Sequence, residues 1–136
     1  GGHQMLSSQF ADGELTKRPE GTLAGTYKIK LTEKGKTHPL FLDMPENPRF
    51  HFANYLHVLP SISQKRNILA IHDNSPALAI DHGNNRFSTQ FHPESRKQSW
   101  DIYYGLREKI YKSNYTEEHD GNILISNFFN LDKINY

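Results

Sequence analysis

Two short apolar runs, Ile68-Leu69-Ala70-Ile71 and Leu78-Ala79-Ile80, stand on either side of Asp73-Asn74-Ser75-Pro76. Neither run alternates with polar residues, so neither has a face to turn toward water. Strands of that kind are covered on both sides, as in a parallel sheet packed between helices. Turn residues at 73–76 and at Gly83-Asn84-Asn85 bound them, which predicts strands over 67–72, 77–81 and 86–91. Ser95-Arg96-Lys97-Gln98 then has the form of a capping box, Ser followed three residues later by Gln. The helix it opens carries Trp100, Tyr103, Tyr104, Leu106 and Ile110 and is expected to run to about Lys112. A polar loop over 113–121 precedes a last helix with Leu124, Ile125, Phe128 and Leu131 on one side. The expected class is therefore α/β, with strands followed by covering helices.

Upstream, Gly25 to Leu31 alternates apolar and polar, the pattern of a half-buried strand, and Glu33-Lys34-Gly35-Lys36 supplies a turn. Pro45, Pro48 and Pro60 divide residues 39–60 into short extended pieces and loops. Met5, Leu6 and Phe10 fall at helical spacing, with Gly13 as a stop. A helix that opens at the chain's start with no strand before it has the character of the middle of a fold. The arrangement thus lacks the amino-terminal βαβ half of an α/β domain. Hydrophobic residues are 35% of the 136-residue chain, a thin supply for a free-standing core, and the length suits one domain.

Sixteen Lys and Arg against fifteen Asp and Glu leave a net charge of +1, which does not favour nucleic acid as partner. No apolar run reaches the ~20 residues that span a bilayer, and no secretory leader is visible. There is no cysteine, which excludes disulfides, cysteine zinc sites and a cysteine nucleophile within these residues. The eight histidines, at 3, 38, 51, 57, 72, 82, 92 and 119, match no metal-ligand spacing, so no metal is expected. Tyr103, Tyr104 and Tyr111 are read as packing, and Glu117-Glu118-His119-Asp120 as a solvated loop. No Gly-x-Ser-x-Gly elbow and no phosphate-cradling glycine loop occur.

The segment that carries chemistry is Gln90-Phe91-His92-Pro93-Glu94-Ser95. Proline biases its predecessor toward extended backbone, so His92 belongs at a strand end. Residues two apart in extended chain share a face, which puts Glu94 beside His92. A carboxylate there would hold one ring nitrogen as donor and stabilise the imidazolium, leaving the other nitrogen to take a proton from a nucleophile. A bare His-x-Glu is also the product of a His-Pro turn followed by a surface glutamate.

The whole hexapeptide is more specific than that. Gln90-Phe91-His92-Pro93-Glu94 resembles the active-site segment of the class I, triad-type glutamine amidotransferases. At the other end, Gly1-Gly2-His3-Gln4-Met5-Leu6 is similar to the residues after that family's nucleophile, in the pattern Cys-x-Gly-His-Gln-x-Leu. Arg18-Pro19-Glu20-Gly21, Gly25, Leu31-Thr32-Glu33-Lys34-Gly35, Pro39-Leu40-Phe41, Leu59-Pro60 and Leu69-Ala70 come next in the family's order. The resemblance covers about residues 1–95 and is strongest to stand-alone proteins similar to the amidotransferase domain of GMP synthase.

The resemblance implies a flavodoxin-like three-layer α/β fold, with residues 1–136 the carboxy-terminal part of one amidotransferase domain. It implies His92 as general base for a cysteine thiol that directly precedes Gly1, and Glu94 as its orienting partner. The Gly1 backbone N–H would be an oxyanion donor, and Gln4 would contact bound glutamine. One segment departs from the pattern. His51-Phe52-Ala53-Asn54-Tyr55 stands where GMP synthase-like relatives carry His-Trp-His-Gly-Asp, whose backbone holds the substrate's amino-acid end. That places Asn54, a residue tolerant of left-handed backbone, and Tyr55 at the substrate. The implied reaction is glutamine amide hydrolysis through a cysteine thioester, without a cofactor, in the cytoplasm. In members with a synthetase partner the ammonia is passed on. Two other readings stay open: a γ-glutamyl peptidase or hydrolase using the same triad, and a non-catalytic amidotransferase-like binding domain.

Overall fold

The computed structural model describes residues 14–18, 22–54, 56–59, 65–73, 75–108, 110 and 112–131. The expected helix around Met5, Leu6 and Phe10 lies outside the described residues. Among the described residues eight strands pair in three groups. Strand β1 (Glu14–Lys17) pairs with β5 (Leu56–Leu59), and β2 (Leu23–Lys28) with β4 (Arg49–Asn54). The third group runs β3 (Lys30–Leu31), β6 (Ile68–His72), β7 (Ser75–Asp81) and β8 (Phe87–Thr89).

Among the described residues every pairing is antiparallel, which corrects the expectation of parallel strands. The reason is local. His72 pairs with Ser75, so β6 and β7 are joined by a hairpin-length turn, and a parallel pair needs a crossover of a dozen or more residues. Asn84 and Asn85 take φ of 54° and 58° in the turn before β8, left-handed backbone that Asn accepts readily.

The predicted strand over 25–31 divides between two groups. Lys28 is paired with Arg49 at the start of β4, Ile29 then donates its N–H to the Pro48 carbonyl, and Lys30 moves across to β6. Residues 33–36, expected as a turn, form helix α1 (Glu33–Thr37) instead. Thr32 is its cap, the hydroxyl accepting from the Gly35 N–H at 3.0 Å while donating to the Ile68 carbonyl at 2.7 Å. A 3-10 turn follows at Pro39–Phe41, with His38 Nδ1 accepting from the Leu40 N–H.

Helix α2 (Lys97–Arg107) ends earlier than expected. It has no fully buried residue, and Leu106 and Ile110 are 84% and 96% exposed. Tyr103 is exposed as well, while Trp100 and Tyr104 are half-buried. The expected Ser95 cap is not made, since Arg96 occupies the cap position and the Ser95 hydroxyl bonds elsewhere. Helix α3 (Gly121–Phe129) is seated on the 3-10 turn through Leu124, and Asn127 Nδ2 donates to the Leu40 and Leu42 carbonyls.

The main core joins Ile29, Leu31, Phe50, Phe52, Leu69, Leu78 and Phe91 with the turn and α3, and Phe50 stacks on Phe91 at 4.1 Å. Strand β7 is buried along most of its length, as its unbroken apolar run requires. No helix among the described residues is long and apolar enough to cross a membrane.

Candidate active site

Phe91 is fully buried in the core, so the residue after it emerges from a fixed point. The His92 N–H donates to the His51 carbonyl of β4 at 2.9 Å, tying the segment past β8 to the middle of a neighbouring strand. The chain then turns. The Ser95 N–H and the Ser95 hydroxyl both donate to the His92 carbonyl, at 3.3 and 2.9 Å. This turn, rather than extended backbone, brings Glu94 back to the imidazole.

His92 Nδ1 and Glu94 Oε1 are 2.9 Å apart. A carboxylate accepts, so Nδ1 is the donor in this bond, and in the neutral ring Nε2 is then the nitrogen that keeps a lone pair. Both side chains are substantially accessible, at 39% and 63%, which leaves the pair open to a reactant. Trp100 packs edge-on to the His92 ring with centroids 5.2 Å apart, and its indole N–H donates to the Ser95 hydroxyl at 2.8 Å.

Glu94 also borders a polar cleft of about 710 Å³ lined by Arg49, Ser95, Arg96, Lys97, His119 and Asp120, among others. Behind the pair, His51 is fully buried and lies against the His119 ring at 3.8 Å. Burial, then the neighbouring His119, pushes His51 down to about 4. Burial lowers His119 too, partly opposed by Asp120 and by the Ser95 backbone. His51 Nδ1 meets the Thr26 hydroxyl at 2.8 Å, whereas Nε2 is buried without a hydrogen-bond partner among the described residues.

Of the other residues predicted for the site, Gly1, Gln4 and Tyr55 lie outside the described residues. Asn54 is the last residue of β4, in regular strand pairing with Leu23 and not in left-handed backbone. It is three residues beyond His51, roughly 10 Å along the strand, and on the opposite face. Its side chain is buried, with Oδ1 and Nδ2 both lacking a hydrogen-bond partner among the described residues. Among the described residues no group of three or more His, Asp or Glu is placed to hold a metal ion.

Trp100, Tyr115, His119 and Thr26 were not expected near His92. The aromatic residues of α2 were the available signal, but their partner, Tyr115, comes from a segment that read as a polar loop.

Fold and side chains together define an α/β protein that presents an imidazole–carboxylate pair just past a strand, an arrangement suited to moving a proton at a nucleophile. The chain belongs to the class-I glutamine amidotransferase family, whose model, described as Glutamine amidotransferase class-I, matches residues 2–113. No curated protein matches it in sequence. Among solved structures it is similar to SMU.1228c, with a TM-score of 0.69 and 20% identity over 98% of this chain and 60% of that one. A glutamine amidotransferase from Thermotoga maritima gives 0.64 and 16% over 97% of this chain and 53% of that one. A protein assigned as a GMP synthase subunit from Thermoplasma acidophilum gives 0.65 and 14%, over 98% of this chain and 56% of that one. The likeness establishes the family's flavodoxin-like α/β fold. This chain spans between 53% and 60% of the length of these neighbours.

Proposed function

We propose that this chain supplies the general base and its orienting carboxylate to a glutaminase site. What supports this reading is the His92–Glu94 contact at 2.9 Å, which in the neutral ring assigns the acceptor role to Nε2, on a side chain that is 39% exposed. The nucleophile it requires is a cysteine directly before Gly1. The match of Gly1-Gly2-His3-Gln4 to the residues after the family's nucleophile supports that placement. His92 Nε2 takes the thiol proton as sulfur attacks the side-chain amide carbon. The same nitrogen returns the proton to the leaving nitrogen, so that ammonia departs and a γ-glutamyl thioester remains. Water then attacks the thioester, with His92 as base, to give glutamate and the free thiol. Gly1 N–H and Gln4 would serve the oxyanion and the substrate, and no cofactor is needed.

A thiolate nucleophile suits a reducing compartment, which supports a cytoplasmic setting. The similarity to a protein assigned as a GMP synthase subunit favours a synthetase partner that takes up the ammonia. A second reading is favoured by Asn54. It stands in the segment His51-Phe52-Ala53-Asn54-Tyr55, which departs from the His-Trp-His-Gly-Asp pattern of GMP synthase-like relatives, and a changed segment there suits a peptidase acting on a larger γ-glutamyl amide. The test is turnover of free glutamine against γ-glutamyl dipeptides by the full-length protein, with ammonia and amine release measured separately. Ammonia from glutamine supports the glutaminase, and amine release only from γ-glutamyl peptides supports the peptidase. If neither is turned over and a thiol-reactive glutamine analogue fails to label the protein, both catalytic readings fall.

A further inference from the structure

Just past the family match, which ends at residue 113, the chain crosses β2 and β4 as a strap held by several hydrogen bonds. The Thr26 N–H donates to the Asn114 carbonyl at 3.0 Å, and the Thr116 N–H to the Thr26 hydroxyl at 2.9 Å. At its far end Asp120 N–H donates to the Arg49 carbonyl, and the Arg49 N–H donates back to Asp120 Oδ2, both at 2.8 Å. Between these anchors Tyr115 is buried, and its hydroxyl donates to the Phe52 carbonyl at 2.6 Å.

The strap turns three groups toward the His92 turn. Tyr115 stacks on Trp100, with centroids 5.8 Å apart and planes 14° from parallel, and Trp100 in turn abuts the His92 ring. His119 accepts the Gly121 N–H at Nδ1, and its ring lies 3.8 Å from that of His51, whose carbonyl holds the His92 N–H. Gly121 lies so close to the turn that a Cβ there would stand 2.1 Å from the Pro93 carbonyl oxygen. The strap's backbone thus meets Pro93, and its two rings meet Trp100 and His51.

We propose that residues 114–121 form a clamp that fixes the imidazole of His92 against Glu94, with Tyr115 and His119 as positioning residues acting through Trp100 and His51. The proposal rests on His92 being the base of the proposed reaction, but the clamp itself is a statement about the ring. Without it, Glu94 sits on a solvent-exposed turn, where a single accessible contact with a carboxylate contributes little to holding one geometry.

The test is long-range nitrogen–proton NMR of the His92 side chain in the full-length protein, together with steady-state kinetics. In the unmodified protein His92 should show one sharp Nδ1–H tautomer. Tyr115→Leu, which loses the stack, should populate both tautomers and broaden the ring signals. Tyr115→Phe, which keeps the ring, should restore the single form. His119→Ala removes a half-buried loop side chain, is expected to fold, and should loosen the ring in the same way. It carries the test if Tyr115→Leu does not fold. In kinetics kcat should fall by about 10- to 100-fold with KM little changed, as misplacement of a reacting group implies. Both variants showing the unmodified His92 spectrum, with native β6 and β7 amide signals, would overturn the clamp. A responsive ring in a protein that hydrolyses no γ-glutamyl amide would leave the clamp standing and remove the glutaminase reading.

Discussion

A histidine works as a base at neutral pH only if its free nitrogen is the one facing the nucleophile, and here Glu94 makes that choice by accepting from Nδ1. Removing the ring removes the base, so His92→Ala should lower turnover by at least about 10²-fold. Its stability should change little, because the ring is accessible and outside the core. Steady-state kinetics with a denaturation curve of the same variant checks both halves, and a loss below about threefold is too small for a general base. Glu94→Gln keeps an acceptor for Nδ1–H but loses the charge that stabilises the imidazolium. Its kcat should fall by less than that of His92→Ala, and an unchanged kcat would reduce Glu94 to a turn residue. The contact between these two residues was legible in the sequence because they are neighbours in the chain. Asn54 was legible only as a place in a pattern, and its strand geometry could not be read from it. Trp100, Tyr115 and His119 were not legible, since each reaches the turn from an element whose position only the packed fold decides.

Among the elements, α1 shows how a close approach decides what a segment becomes. Gly35 is buried against β6, where an added Cβ would lie 2.0 Å from the Leu69 carbonyl oxygen. That atom belongs to a paired core strand and cannot swing aside. Gly35→Ala would gain up to about 1 kcal/mol of helix propensity. The overlap should outweigh it and leave the variant destabilised by about 1–3 kcal/mol. The check is a lower urea midpoint at unchanged slope, and a midpoint at or above that of the unmodified protein would contradict the close packing. The apolar strands β6 and β7 were legible because unbroken apolar runs between turn residues have few other outcomes. Their antiparallel sense was legible too, in the shortness of the 73–76 turn, but burial on both faces suggested the wrong pairing. Helix α1 was hidden because Thr32-Glu33-Lys34-Gly35 reads as a charged turn until the Thr32 cap is seen. Ser95 misled in the opposite direction: its hydroxyl serves the His92 carbonyl and the Trp100 indole, so the capping pattern was present without the cap.

Across the whole molecule, the strap and β4 meet where His51 and His119 stack, and that junction makes the fold sensitive to acid. His51 is fully buried and held down to about 4 by burial and by His119, so it stays neutral where an unfolded histidine takes up a proton. Between pH about 6.5 and about 4 the unfolded chain therefore binds more protons than the folded one, and stability rises with pH across that window. Falling through it, the protein should lose about 2 kcal/mol by pH 5 and about 3 kcal/mol by pH 4 from His51 alone. His119, lowered by burial, pushes the same way. Asp101, which raises His51 slightly, is also tied to Lys97 and to the Ser113 hydroxyl at the start of the strap. Urea denaturation between pH 7 and pH 5, above the range where most carboxylates titrate, measures the effect directly. His51→Gln keeps a polar group for the Thr26 hydroxyl and cannot titrate, so its stability should depend less steeply on pH. An equal slope in the two proteins would mean that the acid-sensitive group lies elsewhere. A shallower one would place it at the contact that joins the strap to the strand carrying the His92 turn.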